Sequence, residues 1–334
     1  MIRVVVLSLL AAVAVAAGLP YLISTPQFDG RIPEQPFADS RFDTFDGTRL
    51  HWRERGPDSA PALIILLHGF GGSAFSWRHS LDALERAGFH AIAPDLPPFG
   101  YSERRASGPD WASLVIDLAE SRGADQPWVL VGHSMGVGVA AEIVNQRPDR
   151  AAGLVMVSGT PRLGEDHQGL SWLFALPPVG RWAEVWAAGN LVEPASIKRM
   201  LGSALGRPPT EEEFRGYYQP LLIPDSYPAL LRRMARRGQV GSGWMRSPHA
   251  IIWGEDDRWV PIDRARELNE QLPAPAEIQV IEGAGHNPMD THPAAFNRRL
   301  LRQIDAFLRT ESPPAARPPT RSTRPGPGPQ ISVQ

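Results

Sequence analysis

The stretch Val129-Leu130-Val131-Gly132-His133-Ser134-Met135-Gly136-Val137 constrains this chain more than any other. A short apolar run ends in Gly-x-Ser-x-Gly and passes at once into helical spacing over residues 139–144. A buried strand that reverses directly into a helix forces the residue at the bend into a strained backbone conformation. Gly132 and Gly136 suit the points where strand and helix come close, because a side chain there would clash. Ser134, at the apex, is lifted over the end of a sheet with a helix N-terminus beneath it. The five-residue pattern alone is an ordinary turn. The strand before it and the helix after it make Ser134 a candidate nucleophile.

Composition narrows the chemistry. The chain has 334 residues, 43% hydrophobic and 21% charged, enough for a large buried core. A net charge of −2 gives no reason to expect nucleic acid as a partner. The absence of cysteine excludes disulfides, thiolate metal sites and a cysteine nucleophile. Lys198 is the single lysine, which argues against Schiff-base chemistry.

Residues 4–23 form an apolar run broken only by Ser8, Gly18 and Pro20 and preceded by Arg3. About twenty residues suffice to cross the hydrocarbon core as a helix. A secretory signal is the rival reading, since Ala14-Val15-Ala16 offers a small-residue cleavage site; the length of the run favours an uncleaved anchor. Arg3 on one side and Arg31 and Arg41 on the other leave its orientation open. Residues 24–40, with Pro26, Pro33 and Pro36, read as an extended linker.

From residue 41 the pattern is that of an α/β domain. Asp46-Gly47 between two short runs is a hairpin signal. Residues 62–67 are continuously apolar, as in a strand buried on both faces of a parallel sheet. That run ends in His68-Gly69-Phe70-Gly71-Gly72 and leads to helical spacing over 73–86. Further strands are expected at 90–94, 129–131, 152–157, 250–253 and 277–281, with helices at 110–121, 263–271 and 293–308. Strands alternating with helices predict a mostly parallel sheet with helices on both faces, and ligands at the carboxyl ends of the strands.

The motifs His68-Gly69-Phe70-Gly71-Gly72, the loop 95–102 and Gly132-His133-Ser134-Met135-Gly136 stand in an order and spacing that resembles the α/β-hydrolase superfamily, over roughly residues 42–308. The resemblance is to the serine-nucleophile branch with an inserted helical lid. It implies a first core part at 41–160, a helical lid at 161–246 and a second core part at 247–310. Val137 stands where relatives often carry another glycine. The aromatic residues of the lid imply an apolar portion in the substrate, with Trp172, Trp182 and Trp186 as candidate contacts. Arg232, Arg233, Arg236 and Arg237 read as a solvated helix face. Residues 311–334, rich in Pro, Arg, Ser and Gly, are expected to be disordered.

A serine hydroxyl needs a base to take its proton and a third group to orient that base. His286, in a Gly-His turn after the last strand, is the candidate base. Glu255, Asp256 and Asp257 are adjacent after the preceding strand; resemblance to a Gly-x-x-Asp-x-x-x-Pro turn selects Asp257, with Asp256 as runner-up. Residues 157–160, where some relatives place the acid, hold no carboxylate. Family geometry implies that the backbone N–H groups of Phe70 and Met135 form the oxyanion hole, while Asp95, His68 and His133 are structural. No metal cluster or dinucleotide fingerprint is visible, so no cofactor is implied.

The function expected is hydrolysis of a carboxylic ester or related acyl bond, in a small molecule or lipid, through an acyl-Ser134 intermediate. Serine in place of aspartate at the apex argues against the dehalogenase and epoxide-hydrolase branches. Carbon–carbon bond hydrolysis and acyl transfer use the same machinery and stay open. A membrane-tethered binding protein without turnover would not need Ser134, Asp257 and His286 together.

Overall fold

Asp46 and Gly47 both take positive φ, 44° and 69°, and turn strand β1 (Ser40–Phe45) back onto β2 (Thr48–Arg55). The computed structural model describes residues 13–23, 30–105, 110–123, 126–161, 176–190, 193–226, 229 and 240–311. Six further strands follow: β3 (Leu63–Leu67), β4 (His90–Pro94), β5 (Trp128–His133), β6 (Ala151–Val157), β7 (His249–Gly254) and β8 (Ile278–Ile281). They form one sheet in the order β1-β2-β4-β3-β5-β6-β7-β8. β2 pairs antiparallel with both β1 and β4, and every other pairing is parallel.

The unbroken apolar runs have a direct cause. Leu63, Ile65 and Leu67 join the core on one face of the sheet, while Ile64 and Leu66 join the core on the other. Neither face can be polar when helices cover both. Each such side chain, removed from water, contributes about 1.5–3 kcal/mol. On one side lie α2 (Trp111–Arg122) and α3 (Met135–Gln146); on the other lie α1 (Arg78–Arg86) and α9 (Pro293–Glu311), with Phe296, Leu300, Ile304 and Phe307 on its buried stripe. The helix expected over 73–86 is divided: Ala74–Trp77 is a 3₁₀ turn, capped by Ser73, and the α-helix starts at Arg78.

The α-helices among the described residues between β6 and β7 are α4 (Pro177–Asn190), α5 (Pro194–Leu205) and α6 (Glu211–Tyr218). α6 begins with a reciprocal cap, Thr210 accepting from the Glu213 N–H and Glu213 from the Thr210 N–H. α7 (Asp263–Gln271) and α8 (Pro288–Thr291) connect the last strands to α9. Residues 13–18 are helical and run into a 3₁₀ turn, Leu19–Tyr21. Among the described residues no helix is long and apolar enough to cross a membrane. Residues 4–12, most of the 24–40 linker's first half, the basic cluster 232–237 and the tail from 312 lie outside the described residues.

Candidate active site

Ser134 sits between the last residue of β5 and the first of α3 with φ 50° and ψ −114°, in the left-handed region that a non-glycine residue enters at a cost of about 1–3 kcal/mol. The neighbours hold it there. A Cβ at Gly132 would lie 2.6 Å from the Val137 backbone nitrogen, and one at Gly136 would lie 2.4 Å from the Leu67 carbonyl oxygen. The Ser134 N–H also donates to the Val157 carbonyl at 2.9 Å, tying the bend to β6.

His286 and Asp257 arrive from the loops after β8 and β7. The His286 Nδ1 lies 2.8 Å from Asp257 Oδ2. Asp257 Oδ1 accepts the backbone N–H groups of Trp259 and Val260, each at 2.9 Å, so both carboxylate oxygens are engaged. Asp256 and Glu255 are exposed, and Asp257 alone of the three is buried. The two loops are joined by the Asp256 N–H, which donates to the Ala284 carbonyl at 2.9 Å. With Nδ1 on the carboxylate, Nε2 is the ring nitrogen left for chemistry.

Two further groups fix the His286 loop. The Nε2–H of His133 donates to the His286 carbonyl at 2.9 Å, and the His286 N–H donates to the Ala204 carbonyl of α5 at 2.8 Å. Burial, and the nearby His286, hold the His133 imidazole well below its usual range. It is a neutral donor rather than a second base. The Trp259 indole stacks on the His286 ring, centroids 5.4 Å apart and planes 26° apart, and its Nε1–H donates to Ser203 Oγ on α5 at 3.2 Å.

Ser134, His286, Phe70 and Met135 line one cleft of about 920 Å³. Its walls are largely apolar, with Trp111, Val139, Ile197, Met200, Leu201 and Trp259 among them. A Cβ on Gly69 would fall 3.1 Å from the Ser134 Cβ, so the loop carrying Phe70 passes directly beside the serine. At one edge Tyr217 of α6 is bound to Ser76 Oγ at 3.1 Å and to Asp290, and Asn287 Nδ2 donates to the Tyr217 oxygen at 3.2 Å. The charged residues among the described lining are Asp110 and Glu142; no arginine or lysine is among them.

Trp182 and Trp186 are placed elsewhere. Neither is among the described lining of the cleft; Trp182 donates its indole N–H to the Ala16 carbonyl of the N-terminal segment at 2.9 Å. Trp172 lies outside the described residues. The tryptophans among the described lining, Trp111 at the start of α2 and Trp259 in the loop after β7, come from the core rather than from α4. Trp259 falls in the acid turn already marked by its Gly-x-x-Asp-x-x-x-Pro spacing, and position in that turn was the signal available for it.

Asp95 and His68 are structural. Asp95 accepts the Ala74 and Tyr101 N–H groups and pairs with His51 Nδ1, each at 2.6 Å. Burial alone would raise its pKa; His51 and the Ala74 N–H outweigh this and keep it below the usual carboxylate range. Ser40 Oγ completes a second Ser-His-Asp row at 2.8 Å from His51 Nε2, fully inside the protein and off the cleft. His68 donates from Nδ1 to the Gly69 carbonyl and accepts the Leu96 N–H at Nε2. Among the described residues Glu54, Asp58 and His90 have the types and closeness of metal ligands. Glu54 is already held by His90 at 2.8 Å and Arg122 at 2.7 Å, which bring its pKa to about 2 against the effect of burial. A cation there would compete with a guanidinium.

Residues 64–299 match the alpha/beta hydrolase family. The chain belongs to that family. This hydrolase is 29% identical over 266 residues to the uncharacterized hydrolase YugF of Bacillus subtilis, covering 77% of this chain and 94% of that protein. It is 27% identical over 279 residues to a 2-hydroxy-6-oxononadienedioate/2-hydroxy-6-oxononatrienedioate hydrolase of Burkholderia vietnamiensis, covering 77% and 91%. Among solved structures, a membrane phospholipase A, described as a bacterial virulence factor, shares the fold with a TM-score of 0.64 at 19% identity, over 92% of this chain and 99% of that one.

Proposed function

We propose that this hydrolase cleaves a carboxylic ester or related acyl bond of a partly apolar small molecule or lipid through an acyl-Ser134 intermediate. The observation that carries the reading is that His286, held by Asp257 at 2.8 Å, lines the same cleft as the strained Ser134. His286 Nε2 takes the hydroxyl proton as Ser134 Oγ attacks the carbonyl carbon. Asp257 holds the imidazole in the required tautomer and stabilises the imidazolium. The Phe70 and Met135 N–H groups receive the charge on the carbonyl oxygen. His286 then protonates the leaving alcohol, and water, deprotonated by the same imidazole, releases the acid and restores Ser134.

The helices between β6 and β7 serve as the lid of this site. Residues 4–23 are read as the membrane anchor, with the soluble part following it.

Carbon–carbon hydrolysis is the second reading, favoured by the relative named for dioate substrates. A dianion in a low-dielectric cleft needs cationic partners. The charged lining described is acidic, Asp110 and Glu142, which favours an ester with an uncharged acyl chain.

The test is a series of p-nitrophenyl esters from acetyl to dodecanoyl, beside a 2-hydroxy-6-oxodienedioate, with the full chain in mild detergent. Medium acyl chains should be turned over faster than acetyl, and the dioate poorly. A series that is flat or falls with chain length rejects the apolar acyl portion, and turnover of the dioate alone rejects the ester reading.

A further inference from the structure

Among the described residues the exposed large apolar side chains fall into two sets. Phe70, Met200 and Trp259 line the cleft. All the others lie on residues 13–22 of the N-terminal segment or on 176–186 around the start of α4, with Leu22 83% and Trp186 59% exposed. The two stretches are bonded to each other. Arg181 donates from Nε to the Pro20 carbonyl at 3.2 Å and from Nη2 to the Ile23 carbonyl at 2.9 Å, and Trp182 donates to the Ala16 carbonyl. Carbonyls in the last turn of a helix find no partner within it. α4 therefore completes the end of the N-terminal helical segment with its own side chains.

We propose that α4 is a second membrane-contacting element, lying in the headgroup region of the bilayer that takes up the N-terminal segment and joined to that segment through Arg181 and Trp182. The proposal rests on the membrane reading of residues 4–23. A bilayer is the occupant because the patch continues an apolar run broken only by Ser8, Gly18 and Pro20, too long for a local groove. Its outward side chains on α4 and beside the segment's end include Trp182, Trp186 and Tyr21. Tyr and Trp, apolar in body and polar at one edge, concentrate at the membrane–water boundary. Only a short connection separates Asn190, the end of α4, from Pro194, the start of α5, whose Ile197, Met200, Leu201 and Ala204 wall the cleft. A helix fixed to the bilayer at that distance presents the cleft to lipid, so an acyl chain can enter without crossing bulk water.

Because the chain has no cysteine, single cysteines report without background. The full chain carrying Leu22→Cys, Leu176→Cys, Trp186→Cys or, as a control exposed on α9, Asp305→Cys is labelled with an environment-sensitive fluorophore. It is then reconstituted in phosphatidylcholine–phosphatidylglycerol vesicles with and without nitroxide-bearing lipid. Blue-shifted emission, strongly quenched by the nitroxide, is expected at 22, 176 and 186, with no change at 305. Quenching at 22 with aqueous labels at both 176 and 186 overturns the proposal and leaves the N-terminal anchor standing. No quenching at 22 removes the anchor and the proposal with it. Labels at 176 and 186 that are unquenched in vesicles, yet shielded as protein concentration rises in detergent, assign the face to a second copy of the chain and overturn the proposal as well.

Discussion

His133, one residue before the strained serine, donates its Nε2–H to the backbone carbonyl of His286 at 2.9 Å. One end of the sheet's central strand is thereby bonded to the loop that carries His286 from far down the chain. The bond places the imidazole relative to Ser134 without taking part in proton transfer. Removing it costs roughly 0.5–1.5 kcal/mol. His133→Ala should lower kcat about three- to tenfold. His133→Gln, which keeps a donor, should recover part of the loss. Melting curves recorded alongside separate a displaced base from a destabilised fold, and wild-type kcat in the alanine variant would contradict the assignment.

The carboxylate is next. Asp257→Asn leaves the shape intact but offers His286 Nδ1 a donor where an acceptor is needed, and kcat should fall by about 10⁴. Asp256 is exposed, so Asp256→Asn should stay within about twofold of wild type. Equal losses in the two variants would mean that the hydrogen bond at 2.8 Å is not the functional one.

Trp259 covers one face of the His286 ring and reaches Ser203 on α5. An aromatic pair of this kind contributes about 0.5–1.5 kcal/mol beyond its burial. Trp259→Ala should lower kcat/KM roughly two- to tenfold. Trp259→Phe keeps a ring over the imidazole, and Ser203→Ala removes only the tie to α5. If stacking is what counts, the phenylalanine variant tracks wild type; if the tie counts, it tracks Ser203→Ala. Unchanged kinetics in all three would make Trp259 a bystander.

Acid stability follows from the buried histidines. His133 and His68 are held below the ordinary value of 6.5 by burial, while the unfolded chain binds protons on both near that value. The unfolded state therefore holds more protons once the pH falls below about 6.5, and stability declines from there toward the lowered folded values. The slope approaches about 1.4 kcal/mol per pH unit for each group. Denaturant midpoints at successive pH values should fall below pH about 6.5 and do so less steeply for His133→Gln. Identical slopes in wild type and variant would contradict this account.

Much of this site is legible in the sequence because its parts are punctuated. Gly132 and Gly136 mark a close crossing, Asp46-Gly47 marks a hairpin, and apolar runs such as 63–67 mark strands covered on both faces. Spacing alone left Asp256 and Asp257 side by side as candidates for the acid. Burial and the two backbone N–H groups on Asp257 Oδ1 distinguish them, and neither is encoded in the order of residues. Aromatic residues in an insertion have no direction visible in the sequence, so Trp182 and Trp186 read there as substrate contacts. The helix that carries them meets the N-terminal segment, a contact between residues 16 and 182 that no local pattern announces. Trp259 carries the opposite ambiguity: an aromatic residue in a loop has no distinguishing pattern until the ring it covers is known.

In the proposed mechanism Ser134 is an activated nucleophile. Treating the full chain with a fluorophosphonate probe and locating the adduct by peptide mass spectrometry tests it most directly. A single phosphonylated peptide carrying the mark on Ser134 is expected, lost in Ser134→Ala and strongly slowed in His286→Ala. A wild-type protein that stays unlabelled, or that is labelled equally well after Ser134→Ala, would contradict it.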